Sequence, residues 1–314
     1  MNQDISICVL TENEMGWTEP FELDKVQILD NYYLSAQKSD IAFLKKMDTA
    51  RLLAGFRTTA GIDTKGVRPY GGWEDSLLGG HCVGHYLTAL AQAVKVTGDK
   101  ELKEKSQTLI AGLEECQKKL GTGFLFGAKV EDKEDVEKQF DILEGKKKGE
   151  TWVPWYNMHK VLAGLVDTYK YTGNETALLV AEKLGDWIYE RVSKWDLKTN
   201  QKVLETEYGG MNDCLYELYS YSHNKHHLEA AQKFDEKALF LMAAKGEKNC
   251  LDGKHANTQI PKFIGAIKRY NVLKQLGEAK QEDEAYLVDA EKFFEMVVKR
   301  HSFVTGGISV MENL

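Results

Sequence analysis

Residues 158–192 read MHKVLAGLVDTYKYTGNETALLVAEKLGDWIYERV, and the contrast between the two halves of this stretch decides the fold class. Met158 to Gly173 carries small and apolar residues around most of a helical circumference and stops at Thr172-Gly173, the left-handed turn that helix C-termini favour. Glu175 to Val192 has one charged face. A helix that is apolar all round must be covered on several sides, whereas a one-sided helix can face water. The stretch therefore predicts a helical hairpin with an inner and an outer member.

The same rhythm recurs on both sides. Gly84 to Gly98 ends in VKVTGD and is followed by a charged helix over Lys100 to Leu120. Met211 to Ser222 pairs with His227 to Ala244, and Ile260 to Leu276 with Glu282 to Lys299, giving a repeat of about 50 to 75 residues with its loop. Upstream, Phe43, Leu44, Met47, Leu52 and Leu53 predict one helix from Ile41 to Phe56, with Ser39-Asp40 as its cap and a Gly-rich loop from Ala60 to Gly80 after it. With four prolines and no run of period-two alternation, no substantial sheet is expected. The fold class is all-α: an (α/α) barrel or toroid of helical hairpins, incomplete relative to six pairs. An irregular α-solenoid is the competing architecture. The expected organisation is an N-terminal extension over 1–25 and a single toroid domain over 26–314, truncated at its C-terminal side.

Composition narrows the partners. A net charge of −7 over 314 residues, with no basic stripe, argues against nucleic acid, and the one basic run, Lys146 to Lys148, reads as solvated loop. No stretch approaches the apolar length of a membrane span, and MNQDISICVL lacks the pattern of a signal peptide, so a soluble, cytoplasmic chain is expected. Five widely spaced cysteines, Cys8, Cys82, Cys116, Cys214 and Cys250, without a C-x-x-C pair, read as free thiols.

Chemistry gathers where loops enter the inner helices. These segments contain Trp73-Glu74-Asp75, His81 and His85, then Trp155 and His159, then Glu207 and Asn212, then His255 and Gln259. Sugars demand this mixture, because aromatic rings pack on their apolar faces while planar polar groups bond their hydroxyls. These eleven residues are the candidate substrate contacts. His81 and His85 share a helical face, but without an H-E-x-x-H glutamate between them no metal is assigned. Cys82 and Cys214 read as small buried hydrophobes, and His223, His226 and His227 as a solvated turn at the opposite end.

Five segments, GGWEDSLLGGHCVGHYLTALA, WVPWYNMHKVLAGLVDTYKYTGN, EYGGMNDCLYELY, LDGKHANTQIPKFIGAIKRY and HSFVTGG, resemble in order the signatures of the β-L-arabinofuranosidases of glycoside hydrolase families 127 and 146, over about residues 20 to 314. The resemblance implies an (α/α)6 barrel followed by β-sandwich domains, and retaining hydrolysis in which a zinc-bound cysteine thiolate attacks the sugar and a glutamate serves as acid/base. Glu312 falls where that acid/base glutamate is expected, His159 and His255 match positions associated with sugar contacts, and Trp73 to Asp75 match the cavity's aromatic-acidic loop. The family's Glu-x-Cys segment and later cysteine motif would lie beyond Leu314, and none of the five cysteines matches them. The chain is therefore expected to hold no cofactor of its own, zinc belonging to full-length members, and to show little activity alone. Carbohydrate is the expected partner, with self-association or a missing C-terminal portion covering an open edge. A non-catalytic carbohydrate-binding or scaffold protein is the alternative, and a toroidal epimerase or unsaturated-glycan hydrolase a further one.

Overall fold

The computed structural model describes residues 20–130, 132–247 and 250–314, and Cys8 lies outside them. Among the described residues there are helices, turns and two isolated β-bridges, with no strand. The helices are α1 (Asn31–Lys46), α2 (Thr49–Thr59), α3 (His81–Thr97), α4 (Lys100–Leu120), α5 (Lys138–Leu143), α6 (Pro154–Thr172), α7 (Glu175–Val192), α8 (Leu197–Leu204), α9 (Met211–Ser222), α10 (Lys225–Gln232), α11 (Lys237–Ala244), α12 (Ala256–Gln275) and α13 (Glu284–Arg300). No described helix is long and apolar enough to cross a membrane.

The architecture is an (α/α) toroid. Helices α3, α6, α9 and α12 pack side by side as the inner series, and α4, α7, α10 and α13 each fold back on the inner helix before them. Local chemistry sets the hairpins: Asp99 and Asn174 cap α4 and α7 through their side chains, while Gly98 and Gly173 close α3 and α6 at φ 65° and 67°. The inner helices approach closely because glycines face each other. A Cβ on Gly84 would stand 1.8 Å from the Lys160 carbonyl oxygen of α6, and one on Gly164 would stand 2.5 Å from the Gly84 carbonyl oxygen.

Two expected helices are each broken in two by an aspartate. The segment Ile41 to Phe56 divides at Met47-Asp48, because the Asp48 carboxylate accepts from the Ala50 and Arg51 amides and its own amide donates to the Tyr70 hydroxyl at 2.7 Å. Ser39 and Asp40 lie inside α1, whose cap is Asp30. The segment His227 to Ala244 divides between α10 and α11, and the break buries Asp235 among Tyr216, Tyr286 and Arg269. Lys146 and Lys147 are exposed yet ion-paired rather than simply solvated, Lys146 with Glu144 at 2.5 Å and Lys147 with Asp135 and Asp141 at 2.7 and 2.9 Å. His227 is wholly buried, its Nδ1 2.8 Å from Ser222 Oγ, so it is part of the packing between α9 and α10 and not of a solvated turn.

Three apolar clusters result among the described residues. Tyr219, Val272 and Leu273 form a small one between α9 and α12, the largest runs from α2 to α10, and another joins α11, α12 and α13 around Phe240, Phe263 and Phe293. Between the last two stands the buried Arg269 guanidinium, bonded to Asp283 at 2.7 and 2.9 Å, to Asp235 and Tyr216 at 3.3 Å each, and to the Tyr286 hydroxyl at 3.0 Å.

Candidate sugar-binding site

The site begins at the N-terminus of α3. Gly80, at φ 92°, lets the chain turn into the helix where a Cβ would meet the Gly127 backbone at 2.7 Å. The turn Gly72–Asp75 then delivers the buried Glu74 carboxylate to the helix end, where it accepts from the amides of Gly80 at 2.9 Å and Cys82 at 3.2 Å. Burial opposes the charge on Glu74, but the bonds from His81, Gly80 and Cys82 outweigh it and hold the carboxyl below its ordinary value. His81 places Nδ1 2.8 Å from Glu74 Oε1 and 2.8 Å from the Leu78 carbonyl oxygen, with Nε2 3.7 Å from Cys82 Sγ. Burial alone would lower His81, yet Cys82 and Glu74 raise it to about 10.

Aromatic and acidic groups continue from there. The Tyr156 ring lies 6.2 Å from that of His81 and 6.5 Å from that of His159, and Lys160 Nζ sits 4.7 Å over its face. His159 is buried and accepts the Gly210 amide at Nδ1 over 3.0 Å, which places its hydrogen on Nε2. Glu207 stands 3.9 Å from His255 Nδ1, and burial raises its carboxyl above the ordinary value against the pull of His255 and Lys160. His255 in turn places Nε2 3.1 Å from Glu312. The segment carrying Glu312 is pinned down: its carbonyl accepts the Ala256 amide at 2.7 Å, the Leu314 carbonyl accepts the Gly253 amide at 2.9 Å, the Leu314 amide donates to the Lys254 carbonyl at 2.8 Å, and Glu312 itself sits at φ 67°. Trp73 and Trp152, 66% and 48% exposed, meet edge to face at 6.3 Å and offer an aromatic rim.

The structure thus brings Glu74, His81, His159, Glu207, His255 and Glu312 into one connected set with Tyr156 and Lys160. His85 adjoins it, its ring 6.2 Å from His81, and burial together with Lys160 and His81 lowers it to about 4. Gln259 follows His255 by one turn and is buried. Asp75 is exposed beside the rim. Two expected contacts are elsewhere. Trp155 is completely buried in the core, its ring 4.9 Å from Phe140, 5.5 Å from Trp195 and 5.1 Å from Phe234. Asn212 is completely buried between α9 and α12, donating to Asp235 and to the Lys262 carbonyl, with Gly265 packed against it. Tyr156 and Lys160 were not among the eleven candidate contacts, although they sit three residues before and one after His159, on the same helical turn. Cys82 was set aside as a small hydrophobe.

Glu74, His81 and Cys82 are also the described group whose metal-ligating atoms all fall within 4.8 Å of one another. They do not fit a zinc ion as they stand. A tetrahedral zinc with bonds of about 2.0–2.3 Å needs its donors roughly 3.3–3.8 Å apart around one point. Here Glu74 and Cys82 engage opposite nitrogens of one imidazole, and both Glu74 oxygens already accept backbone amides.

His159 carries a pH prediction. Burial, with smaller contributions from Lys160 and His85, holds it well below 6.5. The unfolded chain takes up a proton near pH 6.5 that the folded chain refuses, so this stabilisation is complete above that pH and lost as pH falls towards the folded value. Urea unfolding is expected to show a lower midpoint at pH 5 than at pH 7. His159→Gln, which keeps an acceptor for Gly210, is expected to reduce that difference.

The sequence profile of the GH127 catalytic domain, β-L-arabinofuranosidase, matches residues 25–314. No curated protein matches the chain. Among solved structures, it resembles Ara127N-Se, a GH127 β-L-arabinofuranosidase from Geobacillus stearothermophilus T6, with TM-score 0.57 at 16% identity, over 90% of this chain and 47% of that one. It also resembles the GH127 β-arabinofuranosidase BT3674, with TM-score 0.60 at 16% identity, over 93% of this chain and 45% of that one. The chain spans about half the length of these two structures, whose likeness at this identity concerns the fold. From the profile match over nearly its whole length, the chain belongs to the family of the β-L-arabinofuranosidase GH127 catalytic domain.

Proposed function

We propose that this domain binds an arabinofuranoside at the set formed by Tyr156, His159, Glu207, His255, Gln259 and Glu312, flanked by Trp73 and Trp152, and that alone it holds the sugar without hydrolysing it. The observation that carries the reading is a pair of unsatisfied acceptors: Glu207 Oε1 and Gln259 Oε1 are buried without a hydrogen-bond partner. A buried acceptor left without a donor costs about 1–3 kcal/mol, and a small rotation of either side chain would turn its oxygen out to a sugar hydroxyl that can donate to it. Furanoside selectivity rests on family membership.

Glu312 is the proposed acid/base carboxyl. Its neighbour His255 meets it through Nε2 at 3.1 Å, while His255 Nδ1 faces the Thr258 hydroxyl at 2.7 Å, with Glu207 beyond it at 3.9 Å. Retaining chemistry also needs a nucleophile, and three of the four described thiols, Cys116, Cys214 and Cys250, are unsuited to that part. Burial pushes Cys116 up to about 12 and raises Cys214 and Cys250 as well, which keeps them protonated and weakly nucleophilic. Glu74, His81 and Cys82 do not converge on one point, so no zinc-dependent step is assigned to them.

Titration calorimetry with an aryl arabinofuranoside tests this. The chain is expected to bind it, to release no aryl alcohol, and to lose at least tenfold in affinity, about 1.4 kcal/mol, on Glu207→Gln or His255→Ala. Absence of binding, or binding indifferent to both substitutions, would refute the site. Turnover abolished by Glu312→Gln would refute the non-catalytic half of the proposal.

A further inference from the structure

Cys82 differs from the other described cysteines in having a base beside it. Cys116 and Cys214 are buried, and Cys250 faces the Met296 sulfur at 3.6 Å. Cys82 is only partly covered, and its Sγ lies 3.7 Å from His81 Nε2. Two acceptors, Glu74 Oε1 and the Leu78 carbonyl, face His81 Nδ1 at 2.8 Å each. That nitrogen must therefore carry hydrogen, which leaves Nε2 to take the thiol's proton. Glu74 is fixed in turn by two backbone amides, so it cannot swing away from the imidazole. The order is nucleophile, base and orienting carboxylate, with the base turned correctly by the group behind it.

We infer that Cys82, His81 and Glu74 form a base-assisted reactive thiol whose substrates are small soft electrophiles, hydroperoxides in particular. In that reaction the proton given up by Cys82 is held on His81 Nε2, and the sulfur electron pair attacks the outer peroxide oxygen. An S–O bond forms, the O–O bond breaks, and the departing oxyanion recovers the proton from His81. Cys82 is oxidised by two electrons to a sulfenic acid while the peroxide is reduced to water or an alcohol. Cys82 is the second residue of α3, so its sulfur sits at the N-terminal end of that helix. The charged and titratable groups around His81 are Glu74 from the preceding turn, Cys82 and His85 from its own helix, and Tyr156 from α6.

Iodoacetamide labelling of the full chain, resolved cysteine by cysteine by peptide mass spectrometry, tests the inference. At neutral pH Cys82 is expected to label at least tenfold faster than Cys250. His81→Gln is expected to slow that labelling at least tenfold and to move its rate profile to higher pH, with the fold checked by circular dichroism. Hydrogen peroxide is expected to leave a dimedone-trappable sulfenic acid at Cys82, absent in Cys82→Ser. The comparison with Cys250 needs no variant, so it stands even if His81→Gln does not fold. Cys82 labelling no faster than Cys250, or equally fast in folded His81→Gln, would overturn the assignment. So would stoichiometric zinc binding to the chain that disappears in Cys82→Ser, since the three groups would then be ligands and not a proton relay.

Discussion

Arg269→Met is expected to remove about 3–5 kcal/mol of stability, because it withdraws the only guanidinium bonded to both buried Asp235 and Asp283 and leaves two carboxylates without their counter-charge. Domains of this kind have a total margin of about 5–15 kcal/mol, so the loss is a large share of it. It should also be regional. Arg269 stands between the large core and the smaller one of α11 to α13, and Asn212, Tyr216 and Tyr286 reach the same Asp235 carboxylate. Hydrogen exchange in the variant is expected to quicken first in α12 and α13, with α3 and α6 still protected. Adding Asp235→Asn and Asp283→Asn should recover part of the loss by removing the unpaired charges. A loss below about 1 kcal/mol in urea unfolding would show that the network does not join the cores.

Gly84→Val is the second large effect. Its first added atom would lie 1.8 Å from the Lys160 carbonyl oxygen, and backbone on a packed helix cannot step aside as a side chain does. Overpacking costs about 1–3 kcal/mol where neighbours can adjust. At this crossing the cost should reach or exceed the upper figure, since α3 and α6 must separate along their length. Gly71→Ala is the matched control: φ is −69° and nothing lies within 4 Å of the added carbon, so urea unfolding should barely change. Because α3 and α6 carry His81 and His159, separation of these helices should weaken arabinofuranoside binding along with stability.

The hairpins were legible because each was written locally. A Thr-Gly stop and an Asp or Asn cap act within one turn, and α4, α7 and α9 run as their sequences indicate. The breaks at Asp48 and Asp235 were not legible, since local capping by Asp48 is completed by the distant Tyr70 hydroxyl, and Asp235 is held by Tyr216, Arg269 and Tyr286. The site shows the same division. Loops entering inner helices did hold the polar residues that come together, yet Asn212 and Trp155 belong to the packing. A buried amide that ties two helices and one that meets a sugar need the same side chain, and only the neighbours tell them apart. The surroundings of Cys82 were hidden for the complementary reason: its neighbour His81 is adjacent in sequence, but the carboxylate that orients that imidazole comes from the turn before the helix.

The central claim is that the linking turns of the inner helices build one shared sugar site. A crystal structure of the chain with a bound aryl arabinofuranoside tests it most directly. The account predicts the furanose ring against Tyr156, its hydroxyls bonded to Glu207 Oε1, Gln259 Oε1 and His255, and its glycosidic oxygen facing Glu312. A sugar seated away from these residues, with Glu207 and Gln259 still without donors, would contradict it.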